Sequence, residues 1–191
     1  MTRRSPLLIL LVLLAAVVIA RLVPVPAPER VTGGSGPVAA GPAVVLEVLD
    51  GDTIRVRMAG YEGPVRIVGI DTPEIEHPGK PAGCFGEQAA AATRDWLLGR
   101  TVALVPAREQ RDRYDRLLAR VEPSDGPIAG RDLARALALS GLARALTISP
   151  NTEDAAAIGI AVRSAQRHAR GLWAACGFAA AFPGKESADG G

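Results

Sequence analysis

The chain has 191 residues, with 22 Lys plus Arg against 20 Asp plus Glu, a formal charge of +2. Arg3 and Arg4 sit in the first twenty residues, which hold no acid, so without that segment Lys plus Arg falls to 20 against 20 acids. Near-neutrality excludes a nucleic-acid binder that relies on a broad basic footprint. Any polyanion handled here must be held by a few focused arginines and a metal.

Arg3 and Arg4 precede an uncharged run, Pro6 to Ala20, ending in Val18-Ile19-Ala20. The run is short for a membrane span, which needs about twenty apolar residues. Residues 1–20 are therefore predicted to be a cleaved signal peptide, the alternative being a retained membrane anchor facing outside. No cysteine follows the run, which argues against a lipoprotein anchor. Residues 21–42 are rich in Pro and Gly without periodicity and are predicted to be a linker. That leaves 43–178 for one compact domain and 179–191 for a disordered tail.

Within the domain, Val44 to Leu49, Thr53 to Met58 and Val65 to Ile70 read as strands. The first two flank Asp50-Gly51, a hairpin signal. A Pro- and Gly-rich loop, Glu76 to Gly83, leads to a helix over Glu87 to Leu98, with Ala89, Ala92 and Trp96 on one face and Gly99 as its stop. Thr101 to Val105 and Leu117 to Val121 read as two further strands. Arg131 to Ser140 reads as a short helix. The last helix is expected to open at Asn151 or Thr152, with a core stripe of Ile158, Val162, Ala165 and Ala169 closed by Leu172 and Trp173. The pattern predicts an α+β fold: a five-stranded OB-fold β-barrel with about three packed helices.

Cys84 and Cys176 are the two cysteines. In an exported protein such a pair reads as a disulfide, worth about 4–5 kcal/mol across so long a loop; two buried free thiols are the alternative.

The charged residues inside apolar runs carry the functional signal. Asp52 shares parity with Ile54, Val56 and Met58 and so points to the apolar face. Arg66 lies in Val65-Arg66-Ile67-Val68-Gly69-Ile70, which is apolar on both parities. Burying charge without a partner costs several kcal/mol, roughly, so these groups should meet one another, a metal or a charged ligand. Asp52, Asp71 and the Thr72 carbonyl form an oxygen set suited to a hard cation such as Ca2+. Pro73 restricts Thr72 to extended geometry and aims that carbonyl. Glu74 is placed to hold or deprotonate a water. Arg116, on the parity of Leu118, offers a planar fork that matches phosphate oxygens. His77 and His168 are read as surface residues, and Trp96 and Trp173 as core.

Asp50-Gly51-Asp52-Thr53, Arg66, Asp71-Thr72-Pro73-Glu74, Asp112-Arg113-Tyr114 with Arg116, Gly141-Leu142-Ala143 and Gly171-Leu172-Trp173 resemble the staphylococcal (micrococcal) nuclease family, in order and across nearly the whole domain. The resemblance implies a monomeric Ca2+-dependent enzyme that hydrolyses DNA and RNA, favouring single-stranded or locally unpaired stretches, to 3′-phosphate and 5′-hydroxyl products. It also implies residue roles: Asp52, Asp71 and the Thr72 carbonyl on Ca2+, Glu74 on the attacking water, Arg66 and Arg116 on the phosphate, and Arg113 and Tyr114 on the substrate.

The chain departs from the family pattern before Arg116, where the usual glycine is Asp115. If its side chain points inward, affinity falls; if it faces solvent, little changes. After Gly141-Leu142-Ala143, Thr147 and Ser149 are read at the positions of base-stacking tyrosines, a loss of about 1–3 kcal/mol per stacked base. The competing reading is a non-catalytic nucleic-acid-binding module of the same fold. Intact Glu74, Arg66 and Arg116 argue against it, while neutral charge and the missing tyrosines argue for it.

Overall fold

The computed structural model describes residues 36–79 and 81–184. The predicted signal or anchor segment and residues 21–35 of the predicted linker lie outside these, as do 185–191. Among the described residues no helix is long and apolar enough to cross a membrane.

Five strands close a barrel: β1 (Gly41–Val48), β2 (Thr53–Met58), β3 (Tyr61–Ile67), β5 (Thr101–Arg111) and β6 (Leu117–Pro123). Their order around the barrel is β1-β2-β3-β6-β5. All neighbours are antiparallel except β3 and β6, which run parallel with Arg66 opposite Leu118. Period-two alternation fills the interior: Val45 from β1, Ile54 and Val56 from β2, Val65 and Ile67 from β3, Leu104 from β5 and Val121 from β6 are all buried. A short outer pair, β4 (Gly69–Asp71) and β7 (Arg144–Leu146), forms a second sheet.

Five helices are present among the described residues: α1 (Gly86–Leu97), α2 (Leu133–Leu139), α3 (Ala155–Arg167), α4 (Leu172–Ala175) and α5 (Phe178–Ala181). Only the first three exceed one turn, as expected. Asp132 caps α2 by accepting from the Arg135 amide at 2.8 Å. Leu133 and Leu137 of α2 and Ile158 of α3 join the same core. This is the expected OB-like barrel with packed helices.

Several boundaries differ, each for a physical reason. The expected strand Val65 to Ile70 is two strands, because the chain turns at Gly69, whose φ of +87° a side chain would resist. β7 was not anticipated; three residues carry too short a pattern to read. β5 continues six residues past Val105, with its register broken between Pro106 and Arg111. The buried face of α1 is Ala89, Ala90, Thr93 and Leu97, leaving Ala92 and Trp96 half-buried at its edge. α3 opens at Ala155 rather than at 151 or 152, and Ala169 lies exposed beyond its end.

Both ends of the domain reach further than composition suggested. Gly41 and Pro42, placed in the linker, pair with Leu104 and Ala103. Val38 is buried, and both its amide and its carbonyl bond the Gln110 side chain at 2.8 and 3.1 Å. At the other end Ala181 and Phe182, placed in the tail, are buried beside Leu172. Phe182 packs there on Phe178, and the Ala180 carbonyl accepts from the Cys84 amide at 2.8 Å.

Candidate active site

Strand register assembles the site. Thr53 of β2 pairs with Arg66 of β3, which places Asp52 beside the arginine, and Asp71 of β4 pairs with Arg144 of β7. Asp52 is 5% exposed, as its parity predicted. Its Oδ1 lies 3.0 Å from Arg66 Nη1 and accepts from the Thr53 hydroxyl at 3.3 Å. Its Oδ2 accepts from the Thr72 amide at 2.7 Å and the Thr72 hydroxyl at 3.0 Å. Burial pushes the Asp52 carboxyl up; Arg66 pulls it down, Asp50 and Asp71 add to the rise, and the outcome is about 7. Two supports hold the loop. The Asp52 amide donates to Asp50 Oδ1 at 2.9 Å, and the Thr93 hydroxyl of α1 donates to the Gly51 carbonyl at 2.7 Å. Asp50 is thus a turn residue, as its Asp-Gly pair suggested.

Arg66 bridges the two carboxylates: its Nη2 lies 3.5 Å from Asp71 Oδ1. The same guanidinium donates to the Ile67 and Ile70 carbonyls at 2.9 and 3.0 Å, so the short sheet β4–β7 is tied to the barrel through it. The other Asp71 oxygen, Oδ2, accepts from Arg144 Nε at 2.9 Å. Sequence reasoning missed Arg144. The available signal was a charge between Ala143 and Ala145, directly after Gly141-Leu142-Ala143, the same argument that singled out Arg66.

Thr72 is 3% exposed, and its amide and hydroxyl serve Asp52. Glu74 is half-buried on the loop before α1. Its backbone is fixed at two points. Its carbonyl accepts from the Gly83 amide at 2.9 Å and packs so closely on Gly86 that a Cβ there would collide with it. The first residue of α1 must therefore be glycine for Glu74 to stay where it is.

Arg116 stands just before β6. Its Nε and Nη2 each lie 2.7 Å from Asp112 Oδ2, and its Nη1 reaches the Thr53 hydroxyl at 3.5 Å. For Asp112, burial alone would raise the carboxyl. Hydrogen bonds from the Arg116 side chain and amide and from the Tyr114 amide outweigh it and hold Asp112 below the usual range. Tyr114 is 64% exposed, with Arg113 and Arg116 over its ring at 4.7 and 5.4 Å. Asp115 does not line the groove; its side chain is 80% exposed, its Oδ1 lies 3.5 Å from Arg111 Nη1, and it sits at φ +61°. That left-handed backbone accounts for glycine as the usual occupant, and Asp is among the residues that tolerate it best.

Arg66 and Arg116 open onto one groove of about 720 Å³, lined also by Arg111, Asp112, Arg113, Tyr114, Leu146 and Ile148. Asp52, Asp71, Thr72 and Glu74 are not among the residues lining it; Arg66 belongs to both groups and joins them. The groove also bears on the positions read for stacking tyrosines. Thr147 and Ser149 do not line it, while Leu146 and the 62% exposed Ile148 do. The side chains this stretch gives to the groove are aliphatic.

The donor set suits a hard cation. Asp52 and Asp71 are buried carboxylates that share one guanidinium, and burial raises Asp52 further than Arg66 lowers it. Among the described residues no three His, Cys, Asp or Glu side chains gather as a ready-made metal cluster. A cation held here would complete its shell with backbone carbonyls and water. Cys84 and Cys176 form a disulfide with a Cα–Cα distance of 6.3 Å, joining the segment before α1 to the end of α4. His77 and His168 are exposed.

A closed OB-like barrel with two acids and two arginines converging where its strands end is the architecture of a nuclease-type fold. The staphylococcal nuclease homologue family matches residues 64–175, and the chain belongs to that family. It is 35% identical over 130 residues to the thermonuclease of Staphylococcus intermedius, covering 68% of this chain and 74% of that protein. The thermonuclease of Staphylococcus hyicus is also 35% identical over 130 residues, covering 68% of this chain and 73% of that protein. Endonuclease YncB of Bacillus subtilis is 30% identical over 132 residues, with 68% and 60% covered.

Proposed function

We propose that this protein is an exported nuclease that hydrolyses DNA and RNA in a Ca2+-dependent reaction, leaving 3′-phosphate and 5′-hydroxyl ends. The observation that carries the reading is the convergence of Arg66 and Arg116 on one groove, with Asp52 and Asp71 directly behind Arg66. Family membership and the thermonuclease and endonuclease relatives support the same class of reaction.

In this reading the two guanidiniums grip the phosphate, Arg116 nearest the leaving 5′-oxygen. Asp112 fixes the Arg116 fork from the side, so little rotamer freedom is lost on binding. Asp52, Asp71 and the Thr72 carbonyl would hold Ca2+, which when bound supplies positive charge against the phosphate oxygens. Glu74, set by Gly83 and Gly86, orients or deprotonates the attacking water. Arg113 and Tyr114 form the outer wall toward the nucleotide, where Leu146 and Ile148 offer apolar contact to a base. The disulfide supports an oxidising, extracytoplasmic location. Retention of segment 1–20 would instead hold the enzyme at the outer membrane face, and the intact mass of the exported form separates the two.

The test is digestion of single-stranded DNA by the purified protein with millimolar Ca2+ and with a chelator. Cleavage is expected only with Ca2+. Cleavage indifferent to the chelator, or none from folded protein in Ca2+, would overturn the reading. Glu74→Ala separates the enzyme from a non-catalytic binding module: turnover should fall by orders of magnitude while DNA binding persists.

A further inference from the structure

Asp71 is held from two sides. Its Oδ1 faces Arg66 at 3.5 Å, and its Oδ2 accepts from Arg144 Nε at 2.9 Å. The pair is well buried, with Arg144 14% and Asp71 9% exposed at their side chains. Arg144 is itself cradled by aromatics from the end of the domain: its guanidinium carbon lies 5.4 Å from the Phe178 ring centroid and 4.9 Å from that of Phe182. Those rings pack on each other at 5.1 Å, and Phe182 is 1% exposed. The segment bearing them is tied back to the loop that follows Glu74. The Cys84 amide donates to the Ala180 carbonyl at 2.8 Å, and the disulfide bonds Cys84 to Cys176.

We propose that Arg144 is a positioning residue for Asp71, held in its orientation by the Phe178–Phe182 pair of the disulfide-tethered C-terminal segment. The inference rests on the reading of Asp71 as a metal-side carboxylate. By occupying Oδ2, Arg144 fixes the rotation of the carboxylate and leaves Oδ1 turned toward Arg66. A planar guanidinium stacked against two rings can hold that angle; a lysine ammonium on a flexible stem supplies charge without the fixed direction. Partners that orient a metal-side ligand typically account for about 10–100-fold in affinity or activity. Arg144 also competes with a cation for Asp71. Removing it should therefore disorder the carboxylate while leaving Ca2+ affinity unchanged or raised.

The experiment compares the exported protein with its Arg144→Met, Arg144→Lys and Phe182→Leu variants. It measures kcat and KM on single-stranded DNA, Ca2+ affinity by calorimetry, and folded stability by urea. Arg144→Met is expected to lower kcat about 10–100-fold with KM little changed and Ca2+ affinity kept or tightened. Arg144→Lys should recover part of kcat, and Phe182→Leu, which keeps the guanidinium but not its platform, should fall between. An unchanged kcat in folded Arg144→Met overturns the proposal, as does a parallel loss of kcat, Ca2+ binding and folded fraction. Should Arg144→Met not fold, Arg144→Lys and Phe182→Leu decide: reduced kcat at unchanged stability supports the role, and unchanged kcat in both refutes it. Failure of the parent protein to cleave in Ca2+ would remove the metal reading itself, whereas an active parent with flat variants removes only the positioning role.

Discussion

Replacing Cys84 and Cys176 together by serine removes a link that spans 92 residues of sequence. Chain-entropy arguments for a loop of that length put the loss near 4–5 kcal/mol, because the unfolded chain regains the freedom the bridge denied it. Both cysteines are only half-buried, so serine leaves no deep cavity and the change measures the link itself. Against a typical domain stability of about 5–15 kcal/mol this is a large fraction. The midpoint temperature should fall by roughly 10–20 °C for a domain of this size. Urea titration followed by tryptophan fluorescence reads the loss, since Trp96 and Trp173 lie on the two segments that the bridge joins. The urea slope should rise as well, because a denatured chain without the cross-link exposes more surface. A loss under about 1 kcal/mol would refute the reasoning. It would mean that packing of Leu172, Ala181 and Phe182 already holds the segment and that the unfolded chain is not released by cutting the bridge.

Three further outcomes are expected. In metal-free protein Asp52 binds its proton more tightly folded, at about 7, than at its ordinary 3.8, so its contribution to stability falls as pH rises from about 4 to 7. Urea midpoints in chelator across that range should show the decline, Asp52→Asn should flatten it, and a rise with pH would contradict the sign. Asp115→Gly should stabilise by about 1 kcal/mol by relieving the left-handed backbone at φ +61°, with cleavage rates little changed because the side chain points outward. A destabilised variant in thermal melts would contradict this. Ile148→Tyr should tighten binding of short single-stranded oligonucleotides by about 1–3 kcal/mol, lowering KM, because it adds a second stacking surface to the groove that Tyr114 lines. Thr147→Tyr should not, as Thr147 does not line the groove.

Much of the site was legible because buried charge is conspicuous. Asp52 was placed on the apolar face by parity alone, and Arg66 by the apolar residues around it. Asp52 is buried, Arg66 is half-buried, and the two are bonded to each other. The barrel was legible because most of its strands carry the period-two pattern that a closed sheet requires. Arg144 escaped because its partner lies 73 residues away, and the strand that pairs them has three residues. The lining by Leu146 and Ile148 escaped because it forms only where the stretch at the end of β7 passes the loop before β6, a contact between segments far apart in the chain.

The amino-acid sequence by itself determined the family and the barrel and singled out the candidate acids and arginines. The family follows from motifs taken in order, the barrel from local pattern and the charged residues from the cost of burying charge. Only the tertiary structure decided that Asp115 faces solvent, that Gly86 sets Glu74, and that residues past Phe178 buttress Asp71 through Arg144. Those facts depend on which backbone passes within contact of which other, and contact between distant segments leaves no periodic trace in the chain.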